Sequence, residues 1–211
     1  EGRLHLTGDM KNPTAEVEMR IANGQVVDVP FADVQATARL ANKVADVTAH
    51  LVEPRGATFD VSGRVPTAAE AGPADLRVTS PGISLALVQG MTTAVSDVAG
   101  TAALDVRLTG PLADLDIGGN VHLSAAALRV TATGSLYQHI DADVRFENGW
   151  ATFDRASLQD DDGHALNVTG RLGLHDTGGS RQVEAAITSD SIHVLENGLG
   201  DVEVSADLQI S

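Results

Sequence analysis

Cysteine is absent from the 211 residues, so the chain has neither a disulfide framework nor a thiolate metal site. Aromatic residues make up 3 %, with one Trp and one Tyr. Such a chain cannot supply the two aromatic girdles of an outer-membrane barrel. Lysine occurs only at Lys11 and Lys43, and 14 Lys+Arg against 29 Asp+Glu leave a formal net charge of -15. That argues against a nucleic-acid partner, which would want a basic stripe, and against docking on an anionic membrane surface. No apolar run approaches the roughly 18 residues of a membrane-spanning helix. No signal peptide opens the chain. It begins at Glu1 directly in strand-like alternation, as expected of a piece of a longer protein.

What the chain has is alternation. Leu4 and Leu6; Val17, Met19 and Ile21; Ala36, Ala38 and Leu40; Leu104, Val106 and Leu108; Val121 and Leu123 each skip one residue. So do Val144 and Phe146; Leu166 and Val168; Val183, Ala185 and Ile187; and Val202, Val204, Ala206, Leu208 and Ile210. Period two means strands with one apolar face, and the intervening His, Arg, Glu, Asp, Thr and Ser suit a solvated one. Asn23-Gly24, Gly118-Gly119-Asn120, Asn148-Gly149, Asp160-Asp161-Asp162-Gly163 and Thr177-Gly178-Gly179 read as turns. The chain is therefore expected to be antiparallel and almost all-β, with about fifteen strands. Residues 66–75 read as a loop, and Ser84–Met91 as one short helix capped by Ser84.

The pattern repeats. Leu6-Thr7-Gly8, Val61-Ser62-Gly63, Leu108-Thr109-Gly110 and Val168-Thr169-Gly170 share one ending, and the first and third, like the second and fourth, lie about a hundred residues apart. Arg39-Leu40-Ala41-Asn42 matches Arg145-Phe146-Glu147-Asn148, and Leu208-Gln209-Ile210-Ser211 matches Leu4-His5-Leu6-Thr7. The expected organisation is one repeat over 1–99, a second over 100–207, and the start of a third at 208–211. Each glycine is expected to close a strand, its positive φ opening a turn.

Chemistry-bearing motifs are scarce. His5, His122 and His193 each sit between apolar residues of an alternating run and read as solvated strand histidines. No GxSxG, HExxH, P-loop or GxGxxG in strand–helix context occurs. Asp160–Gly163 lacks the ligand spacing of a calcium loop and reads as a hairpin turn. No carboxylate pair stands out for glycoside hydrolysis, and aromatic sugar platforms are missing. The expectation is a non-enzyme with no catalytic residue, no metal and no cofactor.

The apolar face remains. It is aliphatic, with Phe31, Phe59, Phe146, Phe153 and Trp150 as its expected large fillers. A closed sandwich core competes here with an open groove. Few large side chains are available to fill a sandwich, and an open-ended array suits a groove. The expected lining is Leu4, Leu6, Met19, Ile21, Leu104, Val106, Leu108, Ile117, Val121, Leu123, Val144, Phe146, Leu166, Val168, Leu172, Ile187, Val202 and Val204.

Residues 100–174 resemble the TamB family of the AsmA-like superfamily. The likeness rests on Leu108-Thr109-Gly110, Leu112-Ala113-Asp114 leading into Gly119-Asn120-Val121-His122-Leu123, the Leu128–Val130 strand before Gly134, Tyr137, Val144–Gly149, and Gly163 with Leu166–Gly170. Residues 2–65 repeat that frame more loosely. The resemblance implies a long curved antiparallel β-sheet, an open taco-like groove or half-pipe with an apolar interior. It implies a periplasmic bridge, anchored in the inner membrane of a diderm bacterium, that conducts phospholipid acyl chains in outer-membrane biogenesis. Its implied partners are phospholipids and an Omp85-type barrel of the TamA kind. The alternative it implies is a non-enzymatic chaperone for outer-membrane proteins.

Overall fold

The computed structural model describes residues 1–8, 13–26, 29–89, 92–175, 182–197 and 200–210, and within these not the side chains of 8, 13, 26, 29, 88–89, 190, 193–197, 200–204, 206 and 209–210. Its strands are β1 (Gly2–Gly8), β2 (Pro13–Val26), β3 (Val29–Ala41), β4 (Val44–Val52), β5 (Thr58–Pro66), β6 (Ala74–Ser84) and β7 (Val95–Gly110). They continue with β8 (Asp116–Val130), β9 (Leu136–Glu147), β10 (Trp150–Gln159), β11 (Ala165–Gly173), β12 (Val183–Asn197) and β13 (Gly200–Ile210). These thirteen strands form one open antiparallel sheet in sequence order, not closed into a barrel. The count is two short of the fifteen expected because several strands run to 14–16 residues. One helical turn, α1 (Ala86–Gln89), falls inside the segment expected to be helical, and Ser84 Oγ accepts from Ala86 N at 3.3 Å. Gly90 and Met91 lie outside the described residues.

The chain packs as two compact units, Glu1–Ile83 with Leu104–Gly119, and Ser84–Ala103 with Asn120–Ser211. The boundary expected at 99/100 lies within β7.

In the first unit, register carries the apolar alternation from strand to strand. Leu4 faces Val17, Val17 faces Ala38, Ala38 faces Val47, and Val47 faces Gly63, which faces Leu76. Met19, Ala36, Ala49, Val61 and Val78 form the next row, and Ile21, Val34, Leu51 and Phe59 a third. Directly opposed residues of an antiparallel pair lie on one face, so these rows share a side.

In the second unit the same order requires bulges. In β8 the apolar residues are Val121 and Leu123, then Ala126, Leu128 and Val130; the parity changes at Ala125, whose φ is 47°. In β12 it changes between Ile187 and Ile192, where Ser191 has φ 52°, its N–H donates to Ser205 Oγ at 3.0 Å, and the register shifts. In β10 it changes between Phe153 and Ala156, again at a register shift. Asp97, φ 54°, stands between Val95 and Val98 of β7. One extra residue exchanges the two faces of a strand, and the bulge restores the apolar side.

The turns divide. Asn148 and Gly149, φ 53° and 75°, make the two-residue β9–β10 hairpin, and Asp160–Gly163 turns between β10 and β11. Thr177–Gly179 lies outside the described residues. Two expected turns are strand interior instead. Gly24 lies within β2, under the Phe31 ring of its paired residue, which would meet an added Cβ at 2.1 Å. Gly118–Asn120 lies within β8. The tripeptide glycines Gly63 and Gly170 are also interior to β5 and β11, with φ 144° and 149°. A Cβ there would stand 2.0 Å from Asp75 O and 2.2 Å from Glu184 O respectively. Their task is close approach of the neighbouring backbone as well as conformational freedom.

Gly170→Ala is therefore expected to lower stability by about 3 kcal/mol, since backbone strain adds to an unavoidable clash. Gly56→Ala, at φ 87° with nothing within 4 Å, carries the backbone term alone, about 1 kcal/mol. Urea unfolding of the two variants side by side checks the difference.

Candidate functional site: the apolar face and its charged reverse

Each unit presents the two sides of its sheet as opposites in chemistry. In the first unit the apolar rows include Leu4, Leu6, Met19 and Ile21. Leu4 and Leu6 are 64 % and 62 % exposed, and Val17, Met19 and Ile21 are exposed too. Leu104, Val106 and Leu108 are half-buried and belong to the same side. Their neighbours Asp105 and Arg107 pair on the other with Arg77 and Asp75, all four bonds lying between 2.7 and 3.0 Å. Ile117 is half-buried beside exposed Asp116.

In the second unit Phe146 faces Ala151, which faces Leu172, which faces Val183. Val144 faces Phe153, and Ala156 faces Val168, which faces Ile187 and then Leu208. Leu166 faces Leu158. Val121 and Leu123 alternate with His122, whose ring bonds Asp143 on the opposite side from Val144. Val202 and Val204 pair through their backbones with Leu195 and Ile192, but their side chains lie outside the described set.

Two of the expected large fillers lie elsewhere. Trp150 shares its strand alternation with Thr152 rather than with buried Ala151, and its ring stacks on Arg171 Cζ at 4.3 Å. The indole there gains a cation–π contact with the guanidinium. Phe31 lies opposite Gly24, in step with Asp33 rather than Val34, and is buried there. Phe59, Phe146 and Phe153 remain in the apolar rows.

The apolar rows are incompletely covered. Among the described residues the buried apolar side chains are five alanines (Ala74, Ala102, Ala126, Ala142, Ala151) with Phe31, Pro66, Ile83 and Ile192. A face sealed by a second layer would bury its Leu and Val below a tenth of their surface. Here those residues are half-buried or exposed.

The charged side is ordered. Across the first unit Glu16 faces Arg39, Arg39 faces Asp46, Asp46 faces Arg64, and Arg64 faces Asp75. Arg107 then bonds Asp75 through two N–H donors at 2.8 Å. Charge alternates in sign at each strand. Thr37 and Thr48 bond through their hydroxyls at 2.6 Å one row along. The Arg107 guanidinium holds the Asp75 carboxyl below its ordinary value, and Arg77 does the same to Asp105. In the second unit Arg171 lowers Glu184 in the same way. The 550 Å³ depression lined by Glu16, Arg39, Asp46, Thr48 and Arg64 opens on this charged side.

Asp160 is buried in its turn, where its carboxylate accepts from His164 N at 2.7 Å. Among the described residues no three His, Asp or Glu side chains gather as metal ligands, and no helix is long and apolar enough to cross a membrane. Compared with known protein families, curated proteins and solved structures, the chain matches none.

The ion pairs set an acid limb. Asp75 and Asp105 have folded-state pKa values below the ordinary 3.8. Their contribution is fully present above that value and is lost as pH falls through the lower, folded one. Stability should therefore fall as the pH is taken below the ordinary aspartate value of 3.8. Arg107→Gln should make that drop shallower by returning Asp75 toward its ordinary value. Chemical denaturation of both proteins across this range checks it, and an unchanged slope would count against the pairing.

Proposed function

We propose that this chain is a stretch of a lipid-conducting groove of the TamB type, working in the periplasm of a diderm bacterium as part of an inner-membrane-anchored bridge. The observation that carries the reading is the set of apolar rows, mostly aliphatic, that run from strand to strand while remaining accessible. An acyl chain laid on such rows recovers about 0.8 kcal/mol per fully buried CH₂. It also meets no unpaired polar group that would trap it. The ordered charges of the reverse side support solvation of a sheet too long to hide both faces. The reading requires no catalytic residue and no cofactor. The cargo is a phospholipid held by its tails, with an Omp85-type outer-membrane barrel as the expected partner of the whole protein.

Native mass spectrometry of the chain purified without detergent, followed by lipid extraction, tests this. Phospholipid should co-purify. Val168→Asp, which places a carboxylate between Ala156 and Ile187, should lose most of it. Thr169→Asp, one residue on and on the charged side, should keep it. A lipid-free chain, or a folded Val168→Asp that retains lipid, overturns the groove assignment. Binding of unfolded outer-membrane protein by the lipid-free chain would point to the chaperone alternative.

A further inference from the structure

We propose that the charged side of the second unit carries a nucleophilic serine, Ser124, activated by His122 and Asp143. His122 and Ser124 are two residues apart in β8, so both project from the same face, and Asp143 reaches them from β9. His122 Nδ1 lies 2.6 Å from Asp143 Oδ1, and His122 Nε2 lies 2.9 Å from Ser124 Oγ. An ionised carboxylate only accepts, so the ring proton sits on Nδ1. Nε2 of the neutral ring is then an acceptor, and the Ser124 hydroxyl donates to it. The carboxylate fixes the tautomer, the imidazole takes the hydroxyl proton, and the serine oxygen attacks.

Two neighbours hold the constellation. Arg155 Nη2 lies 3.4 Å from the second oxygen of Asp143, so this carboxylate is oriented from both ends. Ala125, next to the serine, is the left-handed residue of the β8 bulge, and its N–H donates to Asp141 Oδ1 at 3.2 Å. That bond fixes the backbone beside Ser124. It also occupies the N–H that would otherwise be nearest to a developing oxyanion, which limits the substrate class. With that donor engaged, the site suits esters with good leaving groups rather than amides.

The substrate is thus a small, water-borne activated carboxylic ester, because Val121 and Leu123 point to the other side and separate this site from the apolar rows. In the first step the Ser124 Oγ–C bond forms and the hydroxyl proton passes to His122 Nε2. The ester C–O bond breaks, and the leaving oxygen takes that proton. Water then attacks the acyl-serine, gives a proton to Nε2, and releases the carboxylic acid as Oγ regains its hydrogen. Ester and water become acid and alcohol, with no other reactant.

The test is covalent labelling with a fluorophosphonate and hydrolysis of p-nitrophenyl acetate, read by intact mass, peptide mapping and release of nitrophenol. The wild type should give one adduct, at Ser124, and Ser124→Ala none. His122→Gln should slow both reactions about a hundredfold, the lower end of what a positioned general base provides. Asp143→Asn should slow them as well. His50→Gln, in the His50–Asp60 pair of the first unit, should leave both rates unchanged. All four positions lie at the solvent side of the sheet, and circular dichroism verifies that each variant is folded. Adducts scattered over many hydroxyls, a rate unaffected by His122→Gln, or labelling no faster than that of the urea-unfolded chain would overturn the proposal.

Discussion

A strand has only two sides, and everything in this protein depends on keeping them distinct. Backbone pairing by itself does not distinguish one side from the other. The distinction comes from side chains directly opposite one another, Leu4 with Val17 and Glu16 with Arg39, whose likeness or complementarity is repeated at each neighbour. A single inserted residue would turn a strand inside out. The bulges at Ala125 and Ser191 occur where the apolar parity of the sequence breaks. They keep long strands in one sheet without interrupting the chemistry of either face.

Glycine serves the same end by a different route. Gly63 and Gly170 occupy positions in the apolar rows, and the neighbouring backbone passes where their side chains would be. Phe153 stands directly opposite Gly170, whose own side-chain space is taken by the β12 backbone. At Gly24 it is the Phe31 ring, not backbone, that takes the space of the missing side chain. A sheet with few aromatics thus places two of them, Phe31 and Phe153, opposite residues without side chains.

The class of fold and the side of the sheet on which most apolar residues fall were legible because period two is a direct consequence of strand geometry. Leu4, Val121 and Val168 could each be assigned a side from their neighbours in sequence alone. Trp150 could not, because its partner Arg171 lies on the next strand and the contact depends on register. Gly63 and Gly170 were misread as strand ends for a related reason: a positive φ serves a turn and a close strand approach equally well, and sequence spacing does not separate them. The Ser124–His122–Asp143 contacts were invisible as well. His122 and Ser124 show as i, i+2 neighbours, yet Asp143 is one of many acids until β9 is laid beside β8. The repeat stood out through its glycines, whereas the bulges are marked only by a change in parity.

The alternating charges of the first unit bear on how the chain finds its pairing. A slip of two residues between neighbouring strands preserves the apolar face, so hydrophobicity cannot detect it. The reverse side can. Sliding β6 against β5 by two residues in one direction brings Arg77 opposite Arg64, where Asp75 stands in the native register. The same slip leaves Asp75 without its cross-strand cation on β5. The charged face acts as a proofreader of registers that the greasy face would accept.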